Sequence, residues 1–308
     1  MKLYLLLRSL PSLLFVLFLL LLQSCHPGGK PGSPNALLEA AARNQFAGYW
    51  YQGEAEVNSY RLEQLRYGEM REGEAVFVFV TEDLSRSKQV KLDQPDKAGN
   101  RKVTVLKLNH LRRFVTGIYD YSLMSSVFTP VDTRRHPHSL KTTTTVQDWC
   151  GHAFTQLNLK GNRYLVRNFS YFESFGDQRD RIPAALLEDE LWNRIRLGPE
   201  NIPSGEVEVV PGTFFARLLH KEIKPQKAVL SLETKEGIGR LSLKYTGLSR
   251  ELEIRFDPSF PYKILGWTEL DGGKVLTRGT LLESVKSPYW QQNALKFEQL
   301  RDSLQIRH

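Results

Sequence analysis

Residues 74–82 read EAVFVFVTE, and residues 101–109 read RKVTVLKLN. In both, β-branched and aromatic residues recur at a spacing of two, the period of a strand whose side chains alternate between faces. The same signature fills residues 54–62 (EAEVNSYRL), 139–147 (SLKTTTTVQ), 152–160 (HAFTQLNLK) and 162–172 (NRYLVRNFSYF). After Gly205 it returns in GEVEVV, AVLSLE, RLSLKYT, ELEIRF, YKILGWTEL and KVLTRGTLLESV. Turn residues separate the runs, among them Lys97-Ala98-Gly99-Asn100, Lys160-Gly161-Asn162 and the Gly272-Gly273 pair after Asp271. About a dozen strands at this spacing predict a mainly β protein, an antiparallel curved sheet or half-barrel.

Helical periodicity interrupts the strands at three places. Ala36–Phe46 reads as a short leading helix. Pro183–Leu197 places Leu187, Leu191 and Ile195 on one stripe beside Trp192, and it ends at Gly198-Pro199. A last helix is expected from Pro288 to Gln305, with Phe297, Leu300 and Leu304 on the face that packs on a sheet or closes a barrel end. A faint echo links Gly53-Glu54-Ala55-Glu56-Val57 to Gly205-Glu206-Val207-Glu208-Val209. It divides the chain into a β-rich first half, 37–181, and a second half, 182–308, made of a helix, strands and the C-terminal helix. The two halves form one domain or two.

Ahead of the strands stands MKLYLLLRSLPSLLFVLFLLLLQSC. Lys2 and Arg8 precede an apolar run that is short for a bilayer span, which needs roughly 20 apolar residues. This is the pattern of an export signal over residues 1–24. Leu22-Gln23-Ser24-Cys25 is similar to the lipobox of bacterial lipoproteins, which makes Cys25 the expected lipidation site; the alternatives are an uncleaved anchor or a signal cut elsewhere. The Pro- and Gly-rich residues 25–36 then read as a flexible tether. Two or more acyl chains, palmitate among them, would hold the domain stably at a membrane.

The chain carries 42 Lys and Arg against 34 Asp and Glu; without Lys2 and Arg8 the basic count falls to 40, a mild excess spread along the strands. That distribution is no nucleic-acid signature. With Cys25 acylated, Cys150 has no partner, so stability is expected from a core rather than from disulfides.

GYWYQGEAEVNSYRLEQLRYGEMREGEAVFVFVTED, TGIYDYSLMSSVF, QDWCGHAFTQLN and PSFPYKILGWTEL together resemble an uncharacterised family of Bacteroidota cell-envelope lipoproteins. The resemblance implies an envelope location and carries no activity. Members are sometimes labelled Maf-like septum formation inhibitors, but the Ser-Pro-Arg-Arg loop of true Maf pyrophosphatases does not occur here.

No P-loop, dinucleotide fingerprint or serine elbow is present. The chemistry on offer centres on Cys150 and His152. In a strand from Trp149 to Leu157 they would share a face with Cα atoms roughly 6.5–7 Å apart, a poor direct nucleophile–base pair. A base would then come from His110 or His220. Alternatively Cys150 is a small buried hydrophobe. With His136 and His138 the same pair makes a four-ligand set of the zinc type. Tyr119, Tyr121, Trp149 and Trp267, with Trp290, are candidates to line a ligand groove.

The reading as a whole is a non-enzymatic, membrane-anchored envelope lipoprotein facing the periplasm. It is expected to act as a binding or assembly module for a hydrophobic ligand, lipid or envelope protein held in a concave apolar interior, with no cofactor. The alternative is a hydrolase or metal-dependent enzyme centred on Cys150 and His152.

Overall fold

The computed structural model describes residues 34–307; the expected leader, Cys25 and the tether as far as residue 33 lie outside them. Helix α1 (Pro34–Trp50) begins within the last residues of the expected tether. From Phe46 onward the chain forms one compact unit.

Its strands are β1 (Ala55–Arg66), β2 (Glu69–Ser85), β3 (Lys102–Thr116), β4 (Tyr119–Pro130), β5 (Lys141–Asp148), β6 (Gly151–Lys160), β7 (Arg163–Phe169) and β8 (Gln178–Pro183). There follow β9 (Leu186–Leu187), β10 (Gly205–Val210), β11 (Gln226–Lys235), β12 (Ile238–Tyr245), β13 (Arg250–Phe256), β14 (Ile264–Asp271) and β15 (Lys274–Ser287). Helix α2 (Leu191–Leu197) precedes β10, α3 (Thr213–Leu218) follows it, and α4 (Leu300–Ser303) lies near the end.

All fifteen strands join one unclosed sheet in the order β8-β7-β6-β5-β4-β3-β2-β1-β15-β14-β13-β12-β11-β10-β9. The mainly β, curved-sheet architecture expected from the periodicity is therefore present. Strand β1 pairs with β15 at the centre, and two meanders run outward from that seam. One sheet thus passes through both halves read from the sequence. The echo between them does not mark equivalent positions: Val57 faces Val78, whereas Val209 faces Gln226.

Three strands escaped the periodicity. In β4 the inward positions include Ser125, whose hydroxyl accepts a hydrogen bond from Thr144 of β5, so small polar groups occupy core positions there. Strand β8 is a mostly exposed edge strand carrying Arg179, Asp180 and Arg181, charges that discourage further pairing. Strand β9 is only two residues long and is the one parallel partner in the sheet.

Curvature follows from the bonds across the hollow. Arg112 on β3 and Glu269 on β14 are four ladder steps apart, about 19 Å in a flat sheet. Their side chains meet at 2.6 Å. The sheet therefore wraps around a core of its own inward residues and helices α2 and α3. Trp267 shows how tightly: its ring crosses Gly279 on the neighbouring strand, where an added Cβ would lie 2.0 Å from a ring carbon.

The mid-chain helix is shorter than its periodicity suggested. Pro183 ends β8, residues 186–187 pair as β9, a 3-10 turn follows at Glu188–Glu190, and α-helical backbone begins only at Leu191. Residues Leu191 to Arg196 are all buried, polar ones included, because the sheet encloses the helix. Gly198, at φ +136°, ends it as the glycine signal implied, donating its N–H to the carbonyls of Arg194 and Ile195. The expected C-terminal helix is broken into two 3-10 turns, Tyr289–Gln291 and Leu295–Phe297, followed by the single turn of α4.

Candidate functional site: an apolar groove on the outer face of the sheet

The concave interior is not an open ligand site. Leu191, Trp192 and Ile195 of α2 and Phe214 and Leu218 of α3 fill it against Tyr60, Phe77, Leu108, Leu243 and Trp267. Aromatic rings pack within it, Phe77 lying 5.1 Å from Trp267 and 5.3 Å from Trp192.

Most of the buried charge is set in matched groups. Arg196 of α2 grips Glu56 of β1 with two nitrogens, each 2.5 Å from a carboxylate oxygen, and Tyr49 and Asn58 also donate to Glu56. Burial alone would raise the Glu56 pKa, but the Arg196 guanidinium and these hydrogen bonds hold it at about 2. A second chain of contacts runs from Glu188 to Arg250, Glu269 and Arg112, whose Nε donates to His110 Nε2 at 3.0 Å. Burial, then the Arg112 charge, pushes the His110 pKa well down, so the ring is neutral. Such networks cost desolvation and are retained only where the geometry matches each charge.

An open cavity lies on the opposite face. Inward residues alternate along β1 to β4 with an outward set, and at the centre of the sheet that outward set is also apolar: Val57, Val76, Val78, Leu111, Met124 and Val285. The C-terminal segment crosses above them, presenting Phe297, Leu300, Leu304 and Ile306. Between the two walls is a groove of about 610 Å³, within the range of small-molecule sites. Arg113, Lys286, Arg301 and Glu74 stand among its lining residues. Lys286 donates to the Tyr49 carbonyl at 2.9 Å and lies over the Tyr49 ring, and burial lowers its pKa. The expected stripe of Phe297, Leu300 and Leu304 does pack on the sheet, though not as one helix.

The sequence candidates fall elsewhere. Cys150 is not in a strand. It occupies the turn between β5 and β6, exposed, with its N–H and that of Gly151 donated to Asp148 Oδ1. The reading as a small buried hydrophobe is corrected by that exposure: the Asp148 carboxylate caps the two-residue turn at the end of the β5–β6 ladder, which leaves Cys150 at the surface. His152, Cys150 and His220 do line one small cleft, while His110 is sealed in the core.

The four-ligand metal set does not assemble. His136 and His138 belong to the loop before β5, whereas Cys150 lies in the turn after it and His152 at the start of β6; the strand separates the two pairs by roughly 25 Å at about 3.3 Å per residue. Among the described residues no three His, Cys, Asp or Glu side chains converge as a metal site.

The aromatic candidates are divided too. Trp267 is fully buried, and Tyr121 is stacked at 4.9 Å on Phe114. Tyr119 lies 6.5 Å from the exposed Trp149, whose Nε1 donates to Asp120. Trp290 is exposed beside Tyr289 in the C-terminal segment.

One signal for the outer groove was present in the sequence. Residues 75–80, AVFVFV, are apolar at every position. A half-solvated antiparallel strand alternates, so an unbroken apolar run means cover on both faces. No protein-family model matches the chain, and no curated protein or solved structure matches it.

Proposed function

We propose that this protein is a non-enzymatic binding module of the cell envelope, lipid-anchored through Cys25, that holds the hydrophobic part of an amphiphile in the outer groove. The apolar chain lies on Val76, Val78, Leu111 and Met124 beneath the C-terminal segment. A polar or anionic head sits toward Arg113, Lys286 and Arg301 at the edge.

The observation that supports this most is the groove itself, about 610 Å³ between an apolar sheet face and a cover made mostly of single turns. A wall with so little regular structure can separate from the sheet at low cost, which suits loading and release. The enzyme alternative has less support: His152 and His220 share a cleft with Cys150, but among the described residues no hydrogen bond joins the Cys150 thiol to a base, and His110 is sealed in the core.

Titration of the full chain with a fluorescent long-chain fatty acid tests the proposal. Saturable binding with one site per chain, displaced by unlabelled fatty acid and unaffected by short-chain acids, is expected. Binding that never saturates, or none, would count against it.

A further inference from the structure

Five arginines are buried among the described residues: Arg112, Arg194, Arg196, Arg217 and Arg250. Four are bridged to a glutamate, Arg112 to Glu269, Arg194 to Glu190, Arg196 to Glu56 and Arg250 to Glu188 and Glu269. Arg217 of α3 is not. It is only 8 % exposed, and its one hydrogen bond runs from Nη2 to the Ser170 hydroxyl at 3.3 Å. Its Nε is buried with no acceptor at all. A guanidinium removed from water without a carboxylate carries a cost that folding alone does not recover.

The neighbourhood adds positive charge instead of cancelling it. Arg66 lines the same cleft; its guanidinium donates to the Leu218 carbonyl at 2.9 Å and to the Tyr121 hydroxyl at 3.2 and 3.4 Å, with no acid among its partners. His220, stacked on Phe175, also faces the cleft, and burial and then the Arg217 and Arg66 charges disfavour its protonated form. The acid in the cleft is Asp148, and one of its oxygens already accepts the N–H groups of Cys150 and Gly151. The free volume is about 40 Å³, room for about three waters, which matches one carboxylate or phosphoryl group and not a whole ligand.

We propose that this cleft is an oxyanion site in which Arg217, assisted by Arg66, takes a single carboxylate or phosphoryl group of a ligand whose remainder lies outside on the exposed rings of Tyr171 and Phe172. A guanidinium with donors to spare is suited to a planar or tetrahedral oxyanion, because its fork delivers paired N–H bonds. The site is separate from the outer groove and does not depend on the reading of that groove.

Thermal unfolding of the full chain at constant ionic strength tests it, with chloride replaced by phosphate or glycerol phosphate in one arm and by acetate or glucuronate in the other. At saturation the preferred arm raises the wild-type midpoint by several degrees, and which arm does so identifies the oxyanion. Arg217→Met is expected to unfold at or above the wild-type temperature without anion and to lose the anion response. No midpoint change in either arm relative to chloride, or an equal change in the variant, would overturn the site. Should Arg217→Met fail to fold, Arg66→Gln carries the comparison by calorimetry. Affinity about tenfold weaker for the effective anion supports the site, and unchanged affinity overturns it.

Discussion

Val57 and Val285 stand directly opposite each other across the β1–β15 ladder, on the face that helices α2 and α3 do not cover. Around them the centre of the sheet is apolar on both sides, and the C-terminal segment supplies the second cover. Leu300 belongs to that cover and is 37 % exposed. Replacing it with Asp puts a charge at the groove without emptying the core. Fatty-acid affinity should fall about tenfold, while the stability obtained from urea unfolding changes by no more than about 0.5 kcal/mol. Equal binding by Leu300→Asp would remove this wall from the site.

Inside the sheet, Arg196 and Glu56 are fully buried partners. Arg196→Met leaves the Glu56 carboxylate in the core with only Tyr49 and Asn58 as donors. A loss of about 3–5 kcal/mol is expected from equilibrium urea unfolding. The double variant Glu56→Met, Arg196→Met should recover much of that loss, because no uncompensated charge remains. A single variant as stable as wild type would show that the pair is not matched as described.

Stability should depend on pH in opposite directions through different acids. For Glu269, burial acts to raise the pKa, but Arg112 and Arg250 outweigh it and hold the group at about 2, as Arg196 does for Glu56. Their ordinary value is 4.5, so between that pH and about 2 the unfolded chain binds more protons than the fold. The stability these groups contribute is present above the ordinary value and is lost on acidification through that window.

Asp189 behaves in reverse. Burial raises its pKa from 3.8 to about 7, only partly offset by its hydrogen bonds from Thr213. Between those values the fold holds a proton that the unfolded chain has released, so stability falls as pH rises. His110 titrates over part of the same range with the opposite sign, so the informative quantity is a difference. Asp189→Asn should gain stability relative to wild type from about pH 4 to about pH 7 and then level off. A flat difference, measured by urea unfolding at several pH values, would place Asp189 among ordinary carboxylates.

Cys150 is exposed at the β5–β6 turn. A thiol reagent should therefore label it fully without denaturant. Cys150→Ser should change stability by less than about 0.5 kcal/mol, the range of surface substitutions without a structural partner. Labelling that requires unfolding would mean the turn packs differently.

Much of the architecture was legible because it rests on period two. The strands of the second half, the Gly272-Gly273 hairpin with φ of +56° and +77°, and the stop at Gly198 all follow from local chemistry. Tyr67-Gly68 and Glu236-Gly237 form turns with the same pair of positive φ values, yet a tyrosine or glutamate there announces nothing. Helix α3 was missed because Phe214, Phe215 and Leu218 sit in an apolar stretch too short to show a helical period. The site was less legible than the fold. Which face carries the cavity depends on helices entering the hollow and on a C-terminal segment reaching strands more than two hundred residues earlier, relationships that no local pattern contains.

The most direct test of the groove is to extract the purified full-length protein with organic solvent and analyse the extract by mass spectrometry beside the Leu300→Asp variant. Near-stoichiometric recovery of one class of acyl-chain amphiphile from the wild type, and clearly less from the variant, is the predicted result. An extract free of amphiphile from protein purified without detergent, together with no uptake of added fatty acid, would contradict the account.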